Sequence, residues 1–214
     1  MKILILASGP SARKIDFDLL PADVQIMGVN GTVHWAPRLD YWFTLDRCSK
    51  NKMRFQNRRQ GVRYFAALPA GIHVPPGVTR LNRVSLTGRN GAFPTPATAR
   101  RGTPEWWFWW WSATPTLSEV PGTIHTGNSA WGALQLAVQL GYREIYLAGV
   151  DGTQDRRVEG GRPNNLSHLP LLFISALPQL ERLGARVINL SMNSRVECFE
   201  KIEFEKAFNL EKVA

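Results

Sequence analysis

Apolar residues in this chain come in short blocks that end on small or polar residues. Lys2-Ile-Leu-Ile-Leu-Ala7 is a continuous apolar run, the pattern of a strand buried on both faces of a parallel sheet. It passes directly into the turn-forming Ser8-Gly9-Pro10-Ser11. Val24-Gln-Ile-Met-Gly-Val29 reads as a second strand ending at Asn30-Gly31, and Asp40-Tyr-Trp-Phe-Thr-Leu45 as a third ending at Asp46. Val62 to Ala66 gives a fourth. From Ser129 to Leu140 the period changes. Trp131, Leu134, Ala137 and Val138 recur at helical spacing, and Gly141 stands where a helix C-cap belongs. Glu144 to Gly149 is the next strand, closing on Val150-Asp151. A helix is predicted over Leu169 to Leu183, a strand over Ala185 to Leu190 ending at Ser191-Met-Asn-Ser194, and an amphipathic helix over Glu200 to Lys212.

Between Leu68 and Pro121 the periodicity fails. Eight prolines (Pro69, Pro75, Pro76, Pro94, Pro96, Pro104, Pro115 and Pro121) forbid long regular elements. The expectation is a single α/β domain over residues 1–214, a Rossmann-like open and mostly parallel sheet, with 68–121 as an irregular lid inserted in it. In such sheets ligands bind beyond the carboxyl ends of the strands, so candidate site residues are gathered from those ends.

Composition narrows the class. With 44% hydrophobic and 20% charged residues, 214 residues can form a packed core. The longest apolar run near the start, Ile3 to Ala7, is too short for a signal-peptide core or a membrane span, so no membrane partner is expected. Cys48 and Cys198 make neither a disulfide framework nor a zinc spacing, which points to a reducing, cytoplasmic setting.

Charge changes the picture more. Of 26 basic residues, 12 lie between Arg47 and Pro104 with no acid among them, which leaves 14 against all 17 acids elsewhere. A near-neutral frame with a cationic middle predicts a polyanionic partner, nucleic acid, engaged through the Arg47–Arg101 stretch. Trp106-Trp107-Phe108-Trp109-Trp110-Trp111 follows it. That run is either a platform for stacking bases or sugars, or an apolar face packed under the lid or against another copy.

The remaining candidates each have two readings. Gly9, Pro10 and Ser11 can admit a phosphate or ribose beside exposed backbone N–H groups, or form an ordinary strand-to-helix turn. Thr126, Gly127, Asn128 and Ser129 open a helix whose dipole favours an anion; plain N-capping is the alternative. Asp46 and Asp151 end strands and can bind ribose, hold a metal or act as a base, or simply cap turns. His168, just ahead of a helix, is a candidate general base, with His34, His73 and His125 as rivals. Arg156, Arg157 and Arg162 can neutralise a leaving diphosphate or lie solvated in a charged loop. Neither a G-x-G-x-x-G fingerprint nor a Walker motif is present, which disfavours standard NAD and P-loop enzymes.

Ile5-Leu-Ala-Ser-Gly-Pro-Ser11, then Asn30, then Gly141-Tyr-Arg-Glu-Ile-Tyr-Leu-Ala-Gly-Val-Asp151 resembles the Rossmann-like superfamily of bacterial CMP-sialic acid-dependent sialyltransferases of the Campylobacter type. The same segments resemble archaeal 6-hydroxymethylpterin pyrophosphokinases and related proteins carried by phages. Asn165-Leu-Ser-His168 resembles the loop with the sialyltransferase base, and Leu190-Ser-Met-Asn-Ser194 a later nucleotide-contacting segment. The resemblance covers about residues 1–46 and 126–200. It implies nucleotide contacts from Gly9, Ser11, Asn30, Thr126 to Ser129, Asp151, Ser191, Asn193 and Ser194, with His168 as base. Where those enzymes carry a pair of tyrosines after the Gly-Val-Asp segment, this chain has Gly152-Thr-Gln-Asp-Arg-Arg-Val158, which favours a UDP- or GDP-linked donor over a CMP-linked one. The expectation is a glycosyltransferase that uses a nucleotide sugar as co-substrate. His168 or Asp46 is the base, Arg156 and Arg157 meet the leaving phosphate, and the acceptor is a hydroxymethylated pyrimidine in phage-type DNA. A divalent metal is not indicated, though Asp46 leaves room for one. The alternatives are a pterin or nucleotide pyrophosphokinase and a non-catalytic DNA-binding phage protein.

Overall fold

The computed structural model describes residues 1–47, 49–86 and 99–210. Cys48 and Arg89 lie outside them. The strands appear where the apolar blocks place them: β1 (Lys2–Leu6), β2 (Val24–Val29), β3 (Tyr41–Thr44) and, after helix α1 (Ser49–Gln56), β4 (Arg63–Ala66). β5 (Val78–Arg80) and β6 (Asn82–Val84) lead to helix α2 (Pro104–Trp110). Then come β7 (Thr123–His125), α3 (Ser129–Gln139), β8 (Glu144–Ala148), α4 (Leu169–Ile174), α5 (Leu177–Arg182), β9 (Arg186–Asn189), β10 (Glu200–Lys201) and α6 (Phe204–Ala207). Eight strands form one sheet in the order β10-β9-β8-β1-β2-β3-β4-β5, and every pair is parallel. β6 and β7 make a small parallel pair of their own.

Alternate side chains of each strand feed two cores, as a sheet covered on both faces requires. Ile3, Ile5, Met27 and Phe43 face α3, α4 and α5; Leu4, Leu6, Ile26 and Trp42 face α1 and α6. α3 is buried from Ser129 to Val138, which is why its sequence is apolar nearly all round. Gly132 lets this helix approach the sheet: a Cβ there would lie 2.6 Å from the Phe43 ring.

Three expectations change. The helix over 169–183 is two short helices, because Pro178 sits in the first turn of α5 and cannot continue α4. The terminal segment is no long helix. Glu200–Lys201 adds an edge strand, and Phe204 and Phe208 of the short α6 segment pack on the sheet face, Phe208 4.5 Å from the Tyr146 ring. Finally, the 68–121 stretch contributes to the main body. β5 extends the large sheet, while Phe108, Ala113 and Leu117 are buried in the core around α3.

Candidate active site

β1 lies in the middle of the sheet, with β2 on one side and β8 on the other, and the chain winds outward from it in both directions. Such a reversal opens a crevice at the carboxyl ends of the strands. The ends of β1 and β8 cross in contact here: Ala7 N donates to Ala148 O at 2.8 Å, and Gly9 N to Gly149 O at 2.9 Å. A Cβ on Gly9 would lie 2.5 Å from both Asp151 Oδ2 and Gly149 O. Glycine at position 9 is therefore fixed by backbone crowding.

The resulting cleft is lined by Ser8, Gly9 and Pro10 after β1, Asn30 after β2, Asn128 and Ser129 at the start of α3, and Gly149 to Thr153 after β8. Asp155, Arg157, Glu159 and Pro163 close it from the loop that follows. That loop is pinned by Val158 N donating to Ser8 O at 2.9 Å, and the cleft keeps about 90 Å³ of free space. Asn128 Oδ1 accepts from Ala130 N at 2.8 Å, so N-capping of α3 and a place in the cleft coexist.

Several predicted contact residues turn out to brace the fold. The Ser11 hydroxyl donates to Asp151, whose other oxygen accepts from Ser11 N at 3.0 Å; Ser191 Oγ donates to Asp151 at 2.5 Å. This buried knot ties the ends of β1, β8 and β9 together. Ser194 Oγ donates to Val150 O at 2.7 Å, and the buried Thr126 hydroxyl donates to Ser112 O. Gly127, expected to admit a ligand, faces protein: a Cβ there would meet Leu172 and Ala113. Asn193 is exposed beside a neighbouring hollow that Pro10, Ser11 and Asp151 also line.

Asn30 and Asp46 form the polar corner of the site. Asn30 has φ +53°, a left-handed conformation that asparagine tolerates better than most residues. Its Nδ2 donates to Asp46 Oδ2 at 2.8 Å, and its Oδ1 accepts from Thr44 Oγ1 at 2.6 Å. Behind them Asn51, fully buried on α1, donates to Thr44 Oγ1 at 2.8 Å and to Asp46 O at 2.6 Å; Arg54 donates to Asn51 Oδ1 at 2.5 Å. Desolvation raises the Asp46 carboxyl above its ordinary value, against the Asn30 hydrogen bond and the charges of Arg157, Arg83 and Arg54. Asp46 keeps an exposed surface, so solvent moderates the penalty while its direction stays upward.

His168 is placed otherwise than expected. It is 1% exposed and does not line the cleft, although Leu166 and Leu169 beside it do. Its Nε2 donates to Gly127 O at 3.1 Å, which leaves Nδ1 as a buried, unpartnered acceptor. Burial lowers its pKa to about 4, so the ring is neutral near pH 7. Among its rivals, His34 accepts from Arg54 Nε at 3.2 Å, and His125 Nδ1 sits 2.9 Å from Thr116 O. Of the loop arginines, Arg157 lines the cleft, whereas Arg156 and Arg162 are exposed outside it. Sequence reasoning missed Glu159: its carboxylate presses on the Asn30–Gly31 turn so closely that a Cβ on Gly31 would clash with it. No motif marks such a contact, because the two residues are far apart in the chain. Among the described residues, no group of three His, Cys, Asp or Glu side chains could hold a metal ion.

Among the described residues, five of the twelve cations in the middle stretch hydrogen-bond the protein itself. Arg58 donates to Phe55 O, Arg59 to Ala36 O, and Arg80 to Ile72 O, each at 2.6 Å; Arg83 donates to Leu45 O at 2.7 Å. Together with Arg54, these five clamps satisfy loop carbonyls and a buried amide, so a polyanion is not needed to explain them. The tryptophans ride on α2, capped by Thr103. Phe108 anchors the helix in the core, Trp106 stacks on Trp110 with centroids 4.9 Å apart, and Trp111 Nε1 donates to Asn165 O at 3.1 Å. Trp110 is 53% exposed and Arg101 lies over the Trp106 ring. No helix among the described residues is long and apolar enough to cross a membrane.

No protein-family model matches this chain, and no curated protein matches it. Solved structures similar to it include the sialyltransferase CstII from Campylobacter jejuni with the substrate analogue CMP-3FNeuAc, at 16% identity and TM-score 0.48, covering 94% of this chain and 85% of that one. The sialyltransferase CST-II with a trisaccharide acceptor and CMP aligns at 18% identity and TM-score 0.49, over 94% and 86% of the two chains. Monomeric CstII aligns at 18% identity and TM-score 0.43, over 94% and 85%.

Proposed function

We propose that this protein is a glycosyltransferase that moves a sugar from a nucleotide sugar to a hydroxyl acceptor. One observation carries the reading. The crevice at the strand reversal is lined by the first turn of α3, by Asn30 and by the cation of Arg157, and Asn30 holds the Asp46 carboxylate at 2.8 Å. The helix N-terminus suits a phosphate of the donor. Arg157 stabilises the negative charge that grows on the departing phosphate oxygen. Asp46, with Asn30 holding one oxygen, takes the proton of the acceptor hydroxyl as that oxygen bonds the anomeric carbon and the sugar–phosphate bond breaks. This gives Asp46 the base role, because His168 has no open path to an acceptor in this conformation.

At finer grain, we carry the donor as diphosphate-linked, supported by Arg157 at the cleft, and the acceptor as a hydroxymethylated pyrimidine of DNA, supported by those described cations of the Arg47–Arg101 stretch that no hydrogen bond to the fold consumes, Arg47, Lys50 and Lys52 among them. The test is a panel of CMP-, UDP- and GDP-sugars, each with hydroxymethylated DNA, read by mass spectrometry, with ATP in a parallel arm. Sugar added to DNA supports the full reading, and donor consumption alone supports the coarser one. AMP released from ATP with no nucleotide sugar consumed overturns both in favour of a pyrophosphokinase.

A further inference from the structure

A second hollow opens at Arg47, the residue after Asp46, separate from the crevice at the strand reversal. It lies between α1 and the turn after β4, holds about 340 Å³, and contains none of the residues that line the first. Its floor is apolar, made by the buried Phe55 and Leu68 and the half-buried Ile72; its rim carries Arg47, Lys52 and His73, all exposed. No carboxylate lines it, and residues 47–104 contain none. This rim differs from the five arginines of the stretch that hydrogen-bond the fold. Arg54, Arg58, Arg59, Arg80 and Arg83 spend their N–H groups on the fold, whereas Arg47, Lys52 and His73 meet neither an acceptor nor an acid among the described residues. Arg47 also stands near another cation, Arg83.

We infer that this hollow binds a nucleotide unit, with its ring on the Phe55–Leu68–Ile72 floor and its phosphate against Arg47 and Lys52. An apolar floor calls for a ring or chain with a nonpolar face, and unopposed cations at its mouth call for an anion. The volume falls within the range of small-ligand sites, and a hollow of that size suits one ring better than a broad lipid surface. Its place makes the ligand an acceptor. Arg47 follows Asp46 in the chain, and α1, which lends Lys52 and Phe55 to the hollow, holds Asp46 through Asn51. That acceptor role rests on the transferase reading; the binding does not. A free mononucleotide and a nucleotide within single-stranded DNA share this chemistry.

The test measures binding of 5-hydroxymethyl-dCMP by calorimetry and of a fluorescein-labelled single-stranded oligodeoxynucleotide by anisotropy. Proteins are the unaltered chain, Ile72→Trp, which fills the hollow, and Arg47→Glu/Lys52→Glu, which inverts its rim. Circular-dichroism melts confirm folding. We expect each variant to weaken binding at least about tenfold and binding to fall as salt rises. Binding of only the mononucleotide assigns the site to free nucleotides; binding of the oligonucleotide assigns it to the polymer. Folded variants that bind both ligands as well as the unaltered chain overturn the inference, as does binding of anionic-lipid vesicles in place of either. Loss of binding in the variants with no sugar transfer by any protein keeps the hollow and sinks the transferase reading instead.

Discussion

Asp46 and His168 are both candidate bases, and their surroundings push them in opposite directions. If Asp46 takes the acceptor proton, its raised pKa sets the acid limb of activity. The carboxylate is the working form, so kcat/KM falls as pH drops through a value above the ordinary 3.8. Asp46→Asn is expected to lower kcat by about 10²–10⁴ with little change in melting temperature. An acid limb at the ordinary carboxylate value, or an active Asn variant, would count against the assignment. His168 instead reports on stability. Its folded pKa of about 4 lies below the ordinary 6.5, so the unfolded chain takes up the proton first. The stability it contributes is complete above pH 6.5 and is lost as pH falls toward 4, about 3 kcal/mol in all. Melting curves at pH 7 and 4.5 should show this loss in the unaltered chain and a smaller one in His168→Leu.

The tryptophan-rich helix shows how one element splits its tasks. Phe108 is in the core and Trp110 is half exposed, two positions apart on α2. Phe108→Ala should destabilise the protein by about 3–5 kcal/mol through lost burial and a cavity. Trp110→Ala should cost under about 1 kcal/mol, since its half-exposed ring meets Trp106, Trp107 and solvent rather than the core. Equal losses in urea titrations would mean that α2 does not sit on the core as described. The helix following the cleft loop makes a related point about legibility. Leu169 to Leu183 has an apolar pattern that one helix or two would satisfy equally, and the choice lies with Pro178 and with Ser175, whose hydroxyl accepts from Thr116 N at 2.9 Å. The strands β1 to β4, β8 and β9, with one apolar block each and a polar end, left no such choice, whereas β5, β6, β7 and β10 carry no such block and were not expected.

For the molecule as a whole, the cleft is narrow and the loop over it is held by few bonds. Its free space of about 90 Å³ is below the roughly 300 Å³ at which small-ligand sites begin, so under the proposed function a donor enters only if the cleft widens, and the 152–163 loop is the segment we expect to lift. Gly152, Gly160 and Gly161 all have positive φ and supply its bends. A nucleotide sugar at 100 times its Kd should add about 2.7 kcal/mol of stability. It should also slow tryptic cleavage after Arg156, exposed in the ligand-free protein. A donor that leaves both readouts unchanged does not bind here.

Much of the fold was legible because each strand needs only local information: an apolar run, then a residue that can turn. Gly9, Asn30, Asp46, Asn128 and Asp151 stood out for the same reason, as the polar ends of apolar blocks. What each of them touches was settled by neighbours distant in sequence. Asp151 is spent on Ser11 and Ser191, Gly127 makes room for Leu172, and five arginines that looked like a polyanion's partner point at carbonyls and a buried amide of their own chain. Residue order alone thus settled the parallel α/β arrangement and the edge of the sheet at which ligands would gather, since both follow from hydrophobic period and turn chemistry. Packing in three dimensions decided which polar groups remain free to meet a ligand, because a hydrogen bond or a charge is consumed by whatever folding brings within about 3 Å of it.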